Sequence, residues 1–408
     1  MAAAEVSAPV TTTQPAPAPK TTEYAARIEK VRAAMAAQSL TALVVTDPSN
    51  LFYLTGYNAW SFYMPQCLIV PADGLPHLFA RAMDAGGAHH TCDLPRERIH
   101  GYPEELIQRS DAHPYEWIAE RARELDLLQD APGCRIGLES DSPFFTARDY
   151  LALDRGLPRA EGVDCNELVN WVRVIKSPVE QEVLRIAGSI ASQSMRVALE
   201  AIDVGRRQCD VVGEIMRAQA SGTPEHGGDY PAIVPMLPTG DAAGTPHMTW
   251  SDAPFVAGEA TTIELAGVNQ RYHAPLARTI MLGEPPQRLA ETAKVIGEGM
   301  QVTLDAIHDG VTGREVHAAF NDVISRHGLR KDSRIGYSIG IGYPPDWGEH
   351  TISLRASETQ PLRAGMALHV ILGMWMDGWG YELSEPVLVH ADGVERLTDL
   401  PQDLTIRR

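Results

Sequence analysis

The sequence predicts an α/β N-terminal domain followed by an α+β domain in which a curved antiparallel sheet is backed by helices. Two patterns carry this expectation. In the first part of the chain, short apolar runs of strand length alternate with helical stretches, and from Asn166 onward pairs of helices interleave with longer, antiparallel-looking strands. The second pattern occurs twice, which suggests an internal duplication, although no repeat is visible in the residues themselves.

Residues 24–38 (YAARIEKVRAAMAAQ) place apolar side chains at helical spacing, and residues 42–45 read as a buried strand ended by Asp47-Pro48. Strand-like runs at 67–70 and 135–138 surround a helical stretch at 115–128, and the Gly- and Pro-bearing segment 155–162 marks a boundary near Asp164. Pro178 opens a long helix, since proline is tolerated in a first turn and Glu180 and Glu182 favour the dipole there. A helix at 208–220 and strands at 232–237, 261–266 and 272–282 follow. Helices at 288–308 and 314–327 precede strands at 368–374 and 385–389. The expected organisation is a disordered tail (1–23), an α/β domain (24–164) and a second domain (165–408).

Composition narrows the function. A net charge of -18 repels phosphates, so neither nucleic acid nor an anionic membrane is an expected partner, whereas a cationic or zwitterionic small molecule is. No apolar run approaches the roughly 18 residues of a membrane span. Five cysteines, an odd number without C-x-x-C spacing, suit neither a disulfide framework nor a zinc knuckle and point to a reducing cytoplasm. The Ala-, Pro- and Thr-rich start lacks the basic and apolar segments of a signal peptide.

Four stretches carry a family likeness: DPSNLFYLTGY (47–57), LVNWVRVIKSPVEQEVLRIA (168–187), YHAPLARTIMLG (272–283) and GYSIGIGYPPDWGE (336–349). They resemble the creatinase, prolidase and aminopeptidase P superfamily, which implies the pita-bread fold for the second domain. Peptidases of that superfamily hold two divalent ions with two Asp, one His and two Glu. Here those positions fall on Glu264, Pro275, Tyr337, Ile371 and, within a residue or two, Ser384, flanked by Glu382 and Glu385. Too few ligands remain, so the resemblance implies neither metal nor cofactor. It is similar instead to the metal-free branch, with creatinases and ectoine hydrolases. His247 stands 17 residues before Glu264, a spacing the family uses for a histidine beside the substrate. TPHMTWSDAPF, YPPDWGE and MWMDGWGYELSE look most like ectoine hydrolases, which open the cyclic amidine of ectoine to an acetylated diaminobutyrate. Creatinases keep a Glu where this chain has Ile371, and an unmet guanidinium N–H there would cost about 1–3 kcal/mol. The resemblance also implies a homodimer, in which the first domain of one subunit closes over its partner's site. Tyr57 and Trp60 in GYNAWSFY are then candidate lid residues.

The chemistry assigns roles. A ring amidinium has an electrophilic carbon, and Glu264 can attack it or anchor a ring N–H while water attacks. His247 would relay a proton to the leaving nitrogen, imidazole being the side chain suited to taking up and giving back a proton near neutral pH. Trp250 and Trp375 are candidates for an aromatic wall against the cation. The Tyr337 hydroxyl would bind an N–H or the substrate carboxylate, and Glu382, two residues before Ser384, would share its face. Asp229, Asp346 and Glu349 are loop candidates. The bland alternatives are core packing for each tryptophan, a structural Arg278 and ordinary turn chemistry for the loop acids. The competing functions are a creatinase-like amidinohydrolase, another small-molecule enzyme on the scaffold, and a binding protein without catalysis.

Overall fold

The computed structural model describes residues 18–408, which pack as two units divided between Arg173 and Val174. Most of the expected tail therefore lies outside the described residues. Thr21–Glu23 do not belong to it: they form the first turn of helix α1 (Thr21–Ala37), where the acidic Glu23 suits the dipole.

The first unit is a mixed α/β sheet. Its strands are β1 (Ala42–Val45), β2 (Cys67–Pro71), β3 (His77–Arg81), β4 (Ile99–Tyr102), β5 (Arg135–Leu138) and β6 (Glu161–Asp164), ordered β4-β3-β2-β1-β5-β6. The β1 strand runs antiparallel to β2 and parallel to β5. Helices α2 (Pro48–Thr55), α3 (Ala82–Thr91), α4 (Pro114–Glu124), α5 (Ala147–Gly156) and α6 (Leu168–Arg173) complete it. Asp47-Pro48 ends β1 and at once starts α2, because Asp47 accepts from Ser49 N and Pro48 occupies the first turn. Helix α6, which the sequence reading placed beyond the Asp164 boundary, packs against α1 in the first unit.

The second unit is built on a curled, mainly antiparallel sheet. Helices α7 (Pro178–Ala201), α8 (Gln208–Ser221), α9 (Gln287–Ala306) and α10 (Gly313–Arg326) accompany strands β7 (Ala260–Asn269), β8 (Tyr272–Leu282), β9 (Gly336–Tyr343), β10 (Asp346–Ser353) and β11 (Ala367–Ile371). A hairpin of β12 (Met374–Met376) and β13 (Trp379–Tyr381) precedes β14 (Ser384–Val389), β15 (Val394–Arg396) and β16 (Thr405–Arg407). The order is β15-β14-β11-β9-β8-β16, with β7 on β8 and β10 on β9.

Strand alternation decides which side chains face the helices. Ile263 and Leu265 of β7 share a core with Ala187, Ala191 and Met195 of α7, so Glu264 and Ala266 point the other way. A Cβ at Gly267 would lie 2.1 Å from the carbonyl oxygen of Ala187, so glycine is what lets α7 sit this close. On β11, Leu368 and Val370 pack with Ile296, Met300 and Phe320 of α9 and α10, leaving His369 and Ile371 on the opposite face.

Three departures from sequence have physical reasons. Residues 232–237 form no strand; Met236 alone bridges to Glu264, because Pro231, Pro235 and Pro238 have no N–H for a ladder. The run 368–374 splits at Gly373, where a Cβ would meet the Trp375 ring at 2.5 Å. The β9–β10 pair was missed because its glycines and register shifts hide the period of two.

A buried ion pair ties the start of this unit to β10. Lys176 Nζ lies 2.6 Å from Glu349 Oε2, both side chains being 1% exposed, so Glu349 serves the fold and not a loop site. Lys176→Met removes the cation from that pair and is expected to cost about 3–5 kcal/mol, measured as the change in denaturant midpoint at constant slope. A loss below about 1 kcal/mol would mean the pair contributes little.

Candidate active site

Glu264 sits on β7 with its backbone fixed on both sides by Met236, whose N–H donates to its carbonyl at 2.9 Å and whose carbonyl accepts its N–H at 3.0 Å. Its side chain is buried, and burial pushes its carboxyl up to about 7. Glu382 lies between β13 and β14. Its backbone N–H donates to Thr279 Oγ1 at 2.8 Å, and that hydroxyl donates to its carbonyl at 2.9 Å. Burial, and then the neighbouring charge of Glu264, hold the Glu382 carboxyl well above the usual range against the opposing pull of Lys331. The two acids therefore titrate as a pair that retains a proton near neutrality. Glu382 Oε1 is buried with no hydrogen-bond partner among the described residues.

The alternation expected in GYELSEP holds. Glu385 faces away, taking Arg278 Nη2 at 2.6 Å, Arg396 Nη2 at 2.9 Å, Gln402 Nε2 at 3.0 Å and the Thr398 hydroxyl. Arg278, 1% exposed, is the structural arginine of that cluster.

A polar chain runs beside the acids. Ser384 Oγ accepts Ala277 N–H at 2.6 Å and lies 2.7 Å from His369 Nε2; His369 Nδ1 lies 3.0 Å from Tyr337 Oη. Tyr337 Oη also accepts Trp347 Nε1–H at 2.8 Å. Burial, then the Arg334 charge, push His369 down to about 3, so its imidazole is neutral. Burial and then the Glu264 carboxylate hold the Tyr337 phenol well above its ordinary value. Two cations flank this group. The Arg334 guanidinium stacks 4.2 Å over the Tyr337 ring, and Lys331 Nζ donates to Gly373 O at 2.6 Å with burial lowering its pKa to about 8.

Of the residues singled out by sequence, the structure brings Glu264, Glu382 and Tyr337 together. Trp375 is half-buried, its ring against Gly373 and thus near Lys331. The others lie differently. Trp250 packs against the core containing Ile263 and Leu265, on the helix side of the sheet and away from the Glu264 face. Asp229 pairs with the buried Arg271 at 3.4 Å, and that guanidinium lies 3.7 Å over the Tyr230 ring, so this segment clamps an arginine. Asp346 accepts from His350 Nε2 at 2.7 Å. His247 is exposed at a left-handed φ of 64°, with no hydrogen bond to Glu264. In the first unit Tyr57 is buried with its hydroxyl on Ser61 and Gln66, whereas Trp60 is 58% exposed. Sequence reasoning missed His369, Lys331 and Arg334. His369 had a signal, standing two residues before Ile371 on the same strand face; the two cations come from a loop without periodicity.

The profile of metallopeptidase family M24 matches residues 182–391, and that of the creatinase/prolidase N-terminal domain matches residues 27–175. The chain belongs to family M24. A relative named ectoine hydrolase, from Halomonas elongata, is 42% identical over 94% of this chain and 97% of its own. An uncharacterized hydrolase/peptidase of Sinorhizobium fredii is 39% identical over 94% and 97%. Among solved structures, dipeptidase PepE from Mycobacterium ulcerans superposes with a TM-score of 0.78 at 23% identity over 95% of this chain and 98% of its own. Prolidase from Thermococcus sibiricus gives 0.80 at 18% identity over 95% and 100%. These likenesses give the M24 pita-bread fold, and this M24 chain is a hydrolase whose C–N bond chemistry fits its relatives.

The metal pair implied by the family name does not fit this M24 member. Pro275 and Ile371 carry no donor atom, Ser384 Oγ and both His369 nitrogens are taken up in hydrogen bonds, and only Glu264 and Glu382 are left. Among the described residues no three His, Cys, Asp or Glu side chains converge.

Proposed function

We propose that this chain hydrolyses the cyclic amidine of ectoine, or of 5-hydroxyectoine, to N-acetyl-2,4-diaminobutyrate without a metal ion. The observation that carries this is the facing pair Glu264 and Glu382, buried together with Glu382 Oε1 unpartnered, a negative site suited to the two N–H groups of a ring amidinium. The 42% identical relative named ectoine hydrolase supports the substrate class.

Hydrolysis adds water across the ring carbon and breaks one C–N bond, the departing nitrogen taking a proton. Glu264 has two routes: to add to the ring carbon and leave when water attacks, or to hold a ring N–H while water attacks directly. A Glu264 adduct found by mass after acid quench separates them. His247 belongs to this proposal as proton relay, which requires its exposed loop to close on the ligand. His247→Ala is then expected to lower kcat with KM unchanged, and near-normal turnover would remove it from the mechanism. A cytoplasmic homodimer, with Tyr57 and Trp60 offered to the partner's site, completes the proposal; a monomer in sedimentation would contradict it.

The test is incubation of EDTA-treated protein with ectoine, 5-hydroxyectoine and creatine, with products identified by mass. The expected product is ectoine plus one water, with creatine hardly turned over because Ile371 offers its guanidinium no acceptor. Activity lost in EDTA and restored by manganese would overturn metal independence. Creatine hydrolysed as fast as ectoine would move the assignment to an amidinohydrolase.

A further inference from the structure

The polar chain beside the acids has a direction. Ser384 is fully buried, and its oxygen already accepts the Ala277 N–H. Among the described residues its own proton has one acceptor within hydrogen-bond distance, His369 Nε2 at 2.7 Å. If Nε2 carried a proton instead, the Ser384 hydroxyl would be buried without an acceptor among the described residues. Nε2 is therefore bare, and in a neutral imidazole the proton sits on Nδ1, which donates to Tyr337 Oη. Trp347 Nε1, a donor only, fills the second acceptor position of the same oxygen. Both lone pairs of Tyr337 are thus occupied, and its hydroxyl can act only as a donor. Among the described residues no hydrogen bond joins Tyr337 to Glu264, and the Arg334 guanidinium over the Tyr337 ring makes this end of the polar group its positive pole.

We propose that Ser384 and His369 are positioning residues that fix Tyr337 as a hydrogen-bond donor, and that this hydroxyl reads the carboxylate of a zwitterionic substrate. The proposal rests on the ring-amidine reading of the acid pair and adds the second pole: Glu264 and Glu382 take the amidinium, Tyr337 with Arg334 takes the anion. It excludes the alternative that Tyr337 accepts a substrate N–H. Donors converging on its oxygen also polarise the O–H bond and strengthen the bond it gives.

The test is a cycle between protein and ligand. Ectoine is compared with 2-methyl-1,4,5,6-tetrahydropyrimidine, the same ring amidine without the carboxylate, on wild type, Tyr337→Phe and Ser384→Ala. Tyr337→Phe keeps the ring beneath Arg334 and is expected to lower kcat/KM for ectoine roughly 10- to 150-fold, the worth of a hydrogen bond to a charged group, and for the analogue by less than about threefold. Ser384→Ala frees His369 to adopt the other tautomer, so it should give the same selective loss with Tyr337 still in place. Equal losses on both ligands would overturn the proposal, since they would mean that Tyr337 serves Glu264. A substrate-free readout keeps the relay testable apart from the ectoine reading: 15N shifts of labelled histidine, with His369 assigned by its loss in His369→Gln. Protonated Nδ1 with bare Nε2 is expected, whereas protonated Nε2 would overturn the relay whatever the substrate proves to be.

Discussion

Glu264→Gln is expected to lower ectoine turnover by about 10²-fold or more while leaving the fold intact. The substitution keeps the side-chain volume and removes the charge that holds or attacks the amidinium. It breaks no internal bond, because the Glu264 side chain has no hydrogen-bond partner among the described residues and its backbone contacts with Met236 remain. Stability supplies a second readout. Burial raises the Glu264 carboxyl from 4.5 to about 7, so between those values the folded state binds the proton and the unfolded state does not. Wild-type stability from this group is therefore fully present at acid pH and falls as pH rises through that window. Gln carries no such dependence. The thermal midpoint of Glu264→Gln should match wild type near pH 5 and lie at or above it at pH 8. Near-normal turnover would contradict the role of Glu264, and a lower midpoint at pH 8 would contradict its being an uncompensated buried acid.

Glu382→Gln should act through affinity and leave the pH profile in place. Burial raises the Glu264 carboxyl to about 7, so the acid limb of kcat/KM should fall off below about pH 7, as Glu264 gains its proton. Burial and then the Glu264 charge hold Glu382 well above the usual range, so Glu382 already carries its proton while Glu264 titrates, and Gln in its place should leave that limb where it is. The variant loses an acceptor for the ring, worth roughly 10- to 150-fold in kcat/KM at pH 8. The ratio of wild type to variant should therefore stay constant as pH falls. Full activity in the variant would remove Glu382 from the site, and a limb moved to lower pH would show that a Glu382 charge acts on Glu264.

Much of this was legible in the sequence, because it depends on short-range pattern or on single residues. Tyr272–Leu282 was bounded to the residue, as was the strand Ala42–Val45, since turn residues follow each, Gly283 after the first and Asp47-Pro48 just beyond the second. The missing donors at Pro275 and Ile371 are facts of residue identity and need no coordinates. The period of two along GYELSEP was enough to separate Glu382 from Glu385.

How those residues are used follows from contacts made across the folded chain. Trp250 and Asp229 sit in motifs that suggested ligand contact, yet one packs on the helix side of β7 and the other pairs with Arg271. Neither partner is near in sequence. Arg278 and Lys176 likewise gained their roles from carboxylates more than 100 positions away. The direction of the Ser384–His369–Tyr337 chain depends on which backbone N–H reaches Ser384, and that N–H belongs to Ala277 of β8, 107 positions earlier. Sequence determined which groups were available and which strand faces they occupied. Burial and long-range hydrogen bonding then decided which acids keep a proton and which hydroxyl must donate, because both depend on what the folded chain places beyond each side chain's own strand.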